Sequence, residues 1–260
     1  MESTDKMVLN LARGNIEQSR KLGFVQGNPD SLLMVEYAGE TEAEVKDQVY
    51  QLEELRKREK IGYASTQAFK PEEVKAIWGV RKAGLGLLLG IKGDKKPIAF
   101  VEDTAVAPAK LPEFIKRFRE VVSRHETIAG YYGHCSVGCM HIRPLINLKE
   151  ESERDKMVSI ANAISDLVLE FNGAMSGEHG DGLARSHFNA KLFGPALYDA
   201  FRQVKRAFDP KNLMNPGKIV DAPAMTESLK ISPQYKPWEP RTTLDFGAQG
   251  GFARAVEMCS

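Results

Sequence analysis

Between Glu151 and Phe171 the apolar residues Met157, Ile160, Ile164, Leu167, Val168 and Phe171 recur on helical spacing, and Asn172 with Gly173 ends the run. A helix with so continuous a stripe has to be buried against a large apolar surface. The preceding sequence offers strands to build it. Leu32 to Tyr37 is a short run of strand formers bounded by Ser31 and Gly39, the pattern of a strand inside a sheet. Thr41 precedes Glu44 in capping-box spacing, and Val45, Val49, Leu52 and Leu55 share a helical face until Gly62. The unit then repeats. PIAFVEDTAVAP reads as a second strand, followed near Pro112 by a helix carrying Leu111, Phe114, Ile115, Phe118, Val121 and Val122. Ile128 to Pro144 is too interrupted by glycine for a helix and reads as two short strands or one bent strand. A further helix opens at Pro195, carries Leu197, Phe201, Val204 and Phe208, and closes at Asp209 and Pro210.

This succession predicts an α+β fold: a ferredoxin-like, split βαβ antiparallel sheet covered by helices, with additional C-terminal helices. We divide the chain into a connecting segment over 1–29, a compact domain over 30–222, and a linker over 223–260, where Pro223, Pro233, Pro237 and Pro240 accompany few apolar residues. A Rossmann domain is not expected. No G-x-G-x-x-G follows a strand and no Walker A sequence occurs, GLGLLLG at 84–90 being only superficially similar.

Charge and cysteine content narrow the partners. Thirty-six Lys and Arg against 35 Asp and Glu leave a net charge of +1, which gives no electrostatic footprint for nucleic acid. No apolar run approaches the roughly 20 residues that span a bilayer, and MESTDKMVLN lacks the pattern of a signal peptide. Three cysteines, at 135, 139 and 259, are too few for a disulfide framework, so a reducing, cytoplasmic compartment is expected.

Three segments carry candidate chemistry. In YGHCSVGCMHIRP, His134, Cys135, Cys139, His141 and Arg143 fall close together, and imidazole and thiolate both ligate zinc or a similar divalent ion. Residues seven apart on an unbroken strand face opposite ways, so His134 and His141 share a ligand only if the chain turns between them, for which Gly138 supplies the break. Two satisfied buried histidines and two small buried cysteines are the alternative. In MSGEHGDGLARS, Glu178 and His179 are flanked by Gly177, Gly180 and Gly182, which suits either a close approach to a ligand or a glycine-rich helix entrance. Two histidines and a carboxylate together make a three-ligand set with open positions, the arrangement of a catalytic metal. FDPKNLMNPGKIV, taken alone, is a helix stop and a reversal.

In order and spacing, these segments resemble the C-terminal domain of FAD-linked oxidases of the D-lactate, glycolate and D-2-hydroxyglutarate dehydrogenase type, over about residues 30 to 220. The resemblance implies that His134, His141 and Glu178 hold a divalent metal, that His179 is the catalytic base, that Arg81 binds substrate carboxylate and that Asn215, in the NPGK turn, faces the flavin. It implies a small 2-hydroxy acid substrate, an electron acceptor, and an FAD-binding domain in the rest of a larger flavoprotein, itself cytoplasmic or peripheral at the membrane. GGFARAVEMCS resembles the entrance to an iron-sulphur segment, with Cys259 as a first cluster ligand. Cys139 and Arg143 stand where hydroxyglutarate dehydrogenases commonly carry asparagines, and the substrate lysine expected near 101 is not evident, which leaves Arg143 as a replacement cation. A zinc-dependent hydrolase with the same ligands, and a non-catalytic docking module of an electron-transfer complex, are the competing readings.

Overall fold

The computed structural model describes residues 1–258, so Cys259 lies outside the described residues. The chain divides into two compact units, Met1–Leu88 and Leu89–Ser260, a boundary that the sequence reading does not mark.

In the first unit, β1 (Glu2–Asp5) pairs antiparallel with β2 (Ser31–Met34), from Glu2 opposite Met34 to Asp5 opposite Ser31. Asp5 also starts α1 (Lys6–Gly14), its carboxylate accepting from the backbone N–H of Val8 at 3.0 Å. Val8, Leu9 and Ala12 are buried. The segment expected to be a connection is therefore structured. The SLLM run is also not the interior strand its apolar content suggests, because Leu33 is exposed. Thr41 caps α2 (Glu42–Arg58) as expected, accepting from Glu44 N–H while the Glu44 carboxylate accepts from Glu40 N–H. GLGLLLG, all but its last glycine, falls inside α3 (Pro71–Leu89), where Gly84 packs on Val8, and a helix interior cannot be the loop of a phosphate site.

In the second unit, PIAFVEDTAVAP is not one strand. It holds the end of β3 (Lys96–Pro97) and all of β4 (Thr104–Ala105), which both pair antiparallel with β6 (Cys139–Ile146) and flank an irregular stretch. That stretch contains Asp103, whose φ of +78° breaks the strand. α4 (Leu111–Arg124) follows, and then β5 (Ala129–His134) pairs with β6 from Ala129 opposite Pro144 to His134 opposite Cys139. The glycine-broken segment is thus a hairpin. Gly138 turns it at φ +72°, and a Cβ there would lie 1.8 Å from the Val106 carbonyl oxygen, so only glycine fits.

Alternation along β6 assigns its two faces. Met140, Ile142 and Ile146 join Phe114, Phe118 and Val122 of α4 and Met157, Ile160, Ile164 and Val168 of α5 (Glu151–Glu170) in one core. Cys139, His141 and Arg143 take the other face. α5 covers the span of the apolar stripe, and left-handed Asn172 with Gly173 follows it. A helical turn, α6 (Gly182–Arg185), leads to α7 (Asn189–Phe208), which is interrupted at Gly194 before Pro195. The segment expected as a linker is not free of the unit: Met225 is buried in the core. α8 (Phe252–Glu257) is tied down by Glu257 to Lys149 and by Arg254 to Asp94, each at 2.9 Å. Pro-rich composition reports few apolar residues and cannot show that the remaining ones and two ion pairs anchor the chain. No helix among the described residues is long and apolar enough to cross a membrane.

Candidate active site

The polar face of the hairpin gathers the histidines. Closing the chain at 135–138 puts His134 at the end of β5 and His141 two residues into β6, and their rings come to 5.1 Å between centroids, edge to face. The turn that the spacing required is present. Tyr132, directly opposite His141, packs against its ring at 5.0 Å.

Glu178 and His179 arrive on the loop between α5 and α6, and Asp103 places that loop. Fully buried, Asp103 accepts from the backbone N–H groups of Glu178 at 3.1 Å and His179 at 2.8 Å, from the Ser176 hydroxyl at 2.8 Å and from the Cys139 thiol at 3.3 Å. Its main-chain carbonyl accepts from Gly177 N–H at 2.7 Å. Gly177 is needed for this approach, since a Cβ there would lie 2.8 Å from Cys139 Sγ. Burial works against ionisation of Asp103, but the backbone donors of His179 and Glu178, with the Ser176 hydroxyl and the Cys139 thiol, together hold its carboxyl below the ordinary range. Arg185 of α6 completes the clamp, donating at 2.6 Å to the carbonyls of both Glu102 and Gly180.

The result is a convergence on one oxygen. Glu178 Oε1 lies 3.3 Å from His134 Nε2, 3.1 Å from His141 Nε2 and 3.3 Å from His179 Nε2. The rings of His141 and His179 stack, with centroids 4.9 Å apart and planes 4° from parallel. Behind them is Glu102, with Oε1 3.1 Å from His141 Nδ1 and 3.4 Å from His179 Nδ1, and Oε2 3.2 Å from Arg143 Nη2. Burial raises the cost of charging Glu102, yet His141, Arg143 and His179 together lower its pKa below the ordinary value. Glu102 and Asp103 are the site residues that sequence reasoning missed. Their signal was two adjacent acids inside an otherwise apolar run.

These residues fit a metal ion. Ligand atoms about 2.0–2.1 Å from one tetrahedral ion lie about 3.4 Å from each other, and each of the three Nε2 atoms is at about that distance from Glu178 Oε1, although His134 joins neither of the tighter donor sets. His141 Nδ1 and Glu102 Oε1 are buried without an aligned hydrogen bond despite their 3.1 Å separation, while His141 Nε2 faces the half-exposed Glu178 side chain on the side a cation can reach. Among the described residues two overlapping sets of ligand atoms lie within 4.8 Å of one another: Asp103, Cys139, His141 and Glu178, and Glu102, His141 and His179. Asp103 is already taken by four donors, and the Cys139 thiol is pushed up to about 12, by burial first and then by its bond to Asp103. The thiol is protonated and donating, a poor ligand as it stands.

The remaining expected residues are held differently. Arg143 is beside the cluster, paired with Glu102 and with a buried Nε that has no hydrogen-bond partner. Arg81 is buried in the first unit, where Nε and Nη2 donate to Glu2 Oε2 at 3.0 and 2.7 Å. Asn215 is exposed, at φ +48°, in the turn after α7, where the Asp209 carboxylate accepts from Leu213 and Met214 N–H at 2.9 Å.

Residues 1–219 match the family of FAD linked oxidases, C-terminal domain. The chain belongs to this family. It is 35% identical over 239 residues to a D-2-hydroxyglutarate dehydrogenase of Escherichia coli (strain K12), covering 86% of this chain and 23% of that protein. It is 33% identical over 129 residues to a D-lactate dehydrogenase of Archaeoglobus fulgidus, covering 50% of this chain and 28% of the relative. The chain thus spans about a quarter of the length of these relatives. A solved structure, 4-ethylphenol oxidase from Gulosibacter chungangensis, shares the fold at TM-score 0.51 and 11% identity, over 85% of this chain and 47% of that one.

Proposed function

We propose that this chain is the substrate-facing and metal-binding part of a flavin-dependent dehydrogenase that oxidises a small D-2-hydroxy acid to its 2-oxo acid. The observation that carries the reading is the meeting of three imidazole Nε2 atoms at one oxygen of the half-exposed Glu178 side chain, on the sheet face opposite the core. The relatives' names, D-2-hydroxyglutarate and D-lactate dehydrogenase, support the substrate class. When bound, a flavin supplies the hydride acceptor and a divalent ion, zinc or similar, the Lewis acidity that lowers the pKa of the substrate hydroxyl.

In this proposal His134, His141 and Glu178 hold the ion, because Asp103 and Cys139 satisfy each other and Glu102 is committed to Arg143. His179 takes the hydroxyl proton at Nε2. Arg143 binds a substrate carboxylate through donors that Glu102 does not use. The family resemblance assigns the substrate carboxylate to Arg81, which leaves Arg143 the distal one, and the flavin side to Asn215. An iron-sulphur extension beginning at Cys259, an electron acceptor and a cytoplasmic setting belong to the same proposal. A zinc hydrolase would use the same ligands, and flavin absorbance in the complete protein separates the two.

Metal content tests the ligand assignment. Protein purified without chelator is expected to retain a divalent ion by elemental analysis, and the His134→Ala, His141→Ala, Glu178→Ala triple variant is expected to lose it. A triple variant with the parent's metal content shows the ligands to be wrong.

A further inference from the structure

We propose that Glu102 is a positioning residue that keeps the imidazole protons of both His141 and His179 on Nδ1, so that both rings turn an unprotonated Nε2 toward Glu178. The inference rests on the metal-site reading above and adds to it the group that prepares the site.

The two stacked rings bridge two carboxylates. Their Nδ1 atoms face Glu102 Oε1 at 3.1 and 3.4 Å, and their Nε2 atoms face Glu178 Oε1 at 3.1 and 3.3 Å. An ionised carboxylate only accepts hydrogen bonds, and a neutral imidazole has one proton to give. Each ring must therefore choose an edge. Exposure makes the choice: the Glu102 side chain is 4% exposed and the Glu178 side chain 45%. Water or a cation can satisfy Glu178. Neither can readily reach Glu102, whose Oε1 would be left as a buried acceptor with nothing to accept. The proton goes to Glu102, and the lone pair goes to the open side. Arg143, 3.2 Å from Glu102 Oε2, keeps this carboxylate charged and oriented. The Glu102 to His141 contact is not aligned for a good hydrogen bond in this structure, and such bonds commonly tighten only when a site is filled. One carboxylate thereby prepares two rings for two tasks, metal ligation by His141 and proton abstraction by His179.

Glu102→Gln separates this role from simple packing. The volume is kept, but Arg143 requires an acceptor, so the glutamine turns its oxygen there and presents its NH2 group to the rings. The expected result is a shift of the His141 proton to Nε2. Long-range proton–nitrogen correlation spectra of the metal-free chain, labelled with 15N-histidine and recorded above the imidazole titration range, read this directly. The parent is expected to show Nδ1–H on His141 and His179, and His134 is expected to be unchanged in the variant. Zinc affinity, measured by competition with a chelating dye, is expected to fall about 10- to 100-fold in the variant, the usual effect of removing an outer partner of a ligating histidine.

A parent protein with the proton on Nε2 of either ring overturns the proposal, and so does unchanged zinc affinity in a folded variant. If the parent binds no zinc, the metal reading fails, while the parent tautomers still decide the role of Glu102. If Glu102→Gln does not fold, the parent spectrum alone decides it.

Discussion

In the complete flavoprotein, His179→Asn is expected to keep its metal and its flavin and to slow flavin reduction by roughly two to four orders of magnitude, the range for a positioned general base. His179 stands apart from the other two histidines in how it is held. His134 and His141 are fixed in the hairpin, whereas His179 is on a loop whose backbone N–H Asp103 binds at 2.8 Å, with its side chain about half exposed. A group that must give and take a proton needs that access. Asparagine fills similar space but cannot take up the proton. Anaerobic flavin bleaching in single turnover is the step to follow, because steady-state rates can report reoxidation instead. A variant that bleaches at the parent rate removes His179 as the base. One that loses its metal makes it a ligand, which its 3.3 Å separation from Glu178 Oε1 also permits.

Arg143→Ala is expected to weaken a dicarboxylate substrate far more than a monocarboxylate. Its Nη2 is held by Glu102 and its Nε is a buried donor without a partner, so the guanidinium is both fixed in place and short of an acceptor. Losing one partner of a buried, hydrogen-bonded charge pair costs about 2 to 5 kcal/mol. The alanine also leaves Glu102 without its cation, a loss common to both substrates. For that reason the informative quantity is the ratio of kcat/KM values for the two substrates within the one variant, compared with the parent's ratio. An unchanged ratio takes Arg143 away from the distal carboxylate.

The sequence makes the scaffold of the site legible through local signals. The stripe from Met157 to Phe171 announces α5, and Gly138 announces the reversal that lets His134 and His141 share a face. What it hides depends on contacts distant in the chain. ESTD has no strand pattern of its own and becomes β1 only by pairing with Ser31–Met34. Glu102 and Asp103 look like successive residues of one strand, whose side chains would point to opposite faces. The left-handed backbone at Asp103 ends that alternation, and both carboxylates serve the cluster. Aspartate tolerates that conformation better than most residues, but nothing in VEDTAV requires it. The anchoring of α8 by Lys149 and Asp94 is hidden for the same reason: both partners lie about a hundred residues or more upstream.

In the proposed reaction a divalent ion on the histidine face and a flavin act together on a D-2-hydroxy acid. Its most direct test is to mix the complete flavoprotein anaerobically with a D-2-hydroxy acid, before and after removal of the metal, following the flavin bands and the 2-oxo acid formed. Rapid bleaching with one 2-oxo acid per flavin is expected in the metal-replete protein, with loss of both on chelation and recovery when the divalent ion is restored. Bleaching at the same rate after the metal has been removed would contradict the proposed reaction.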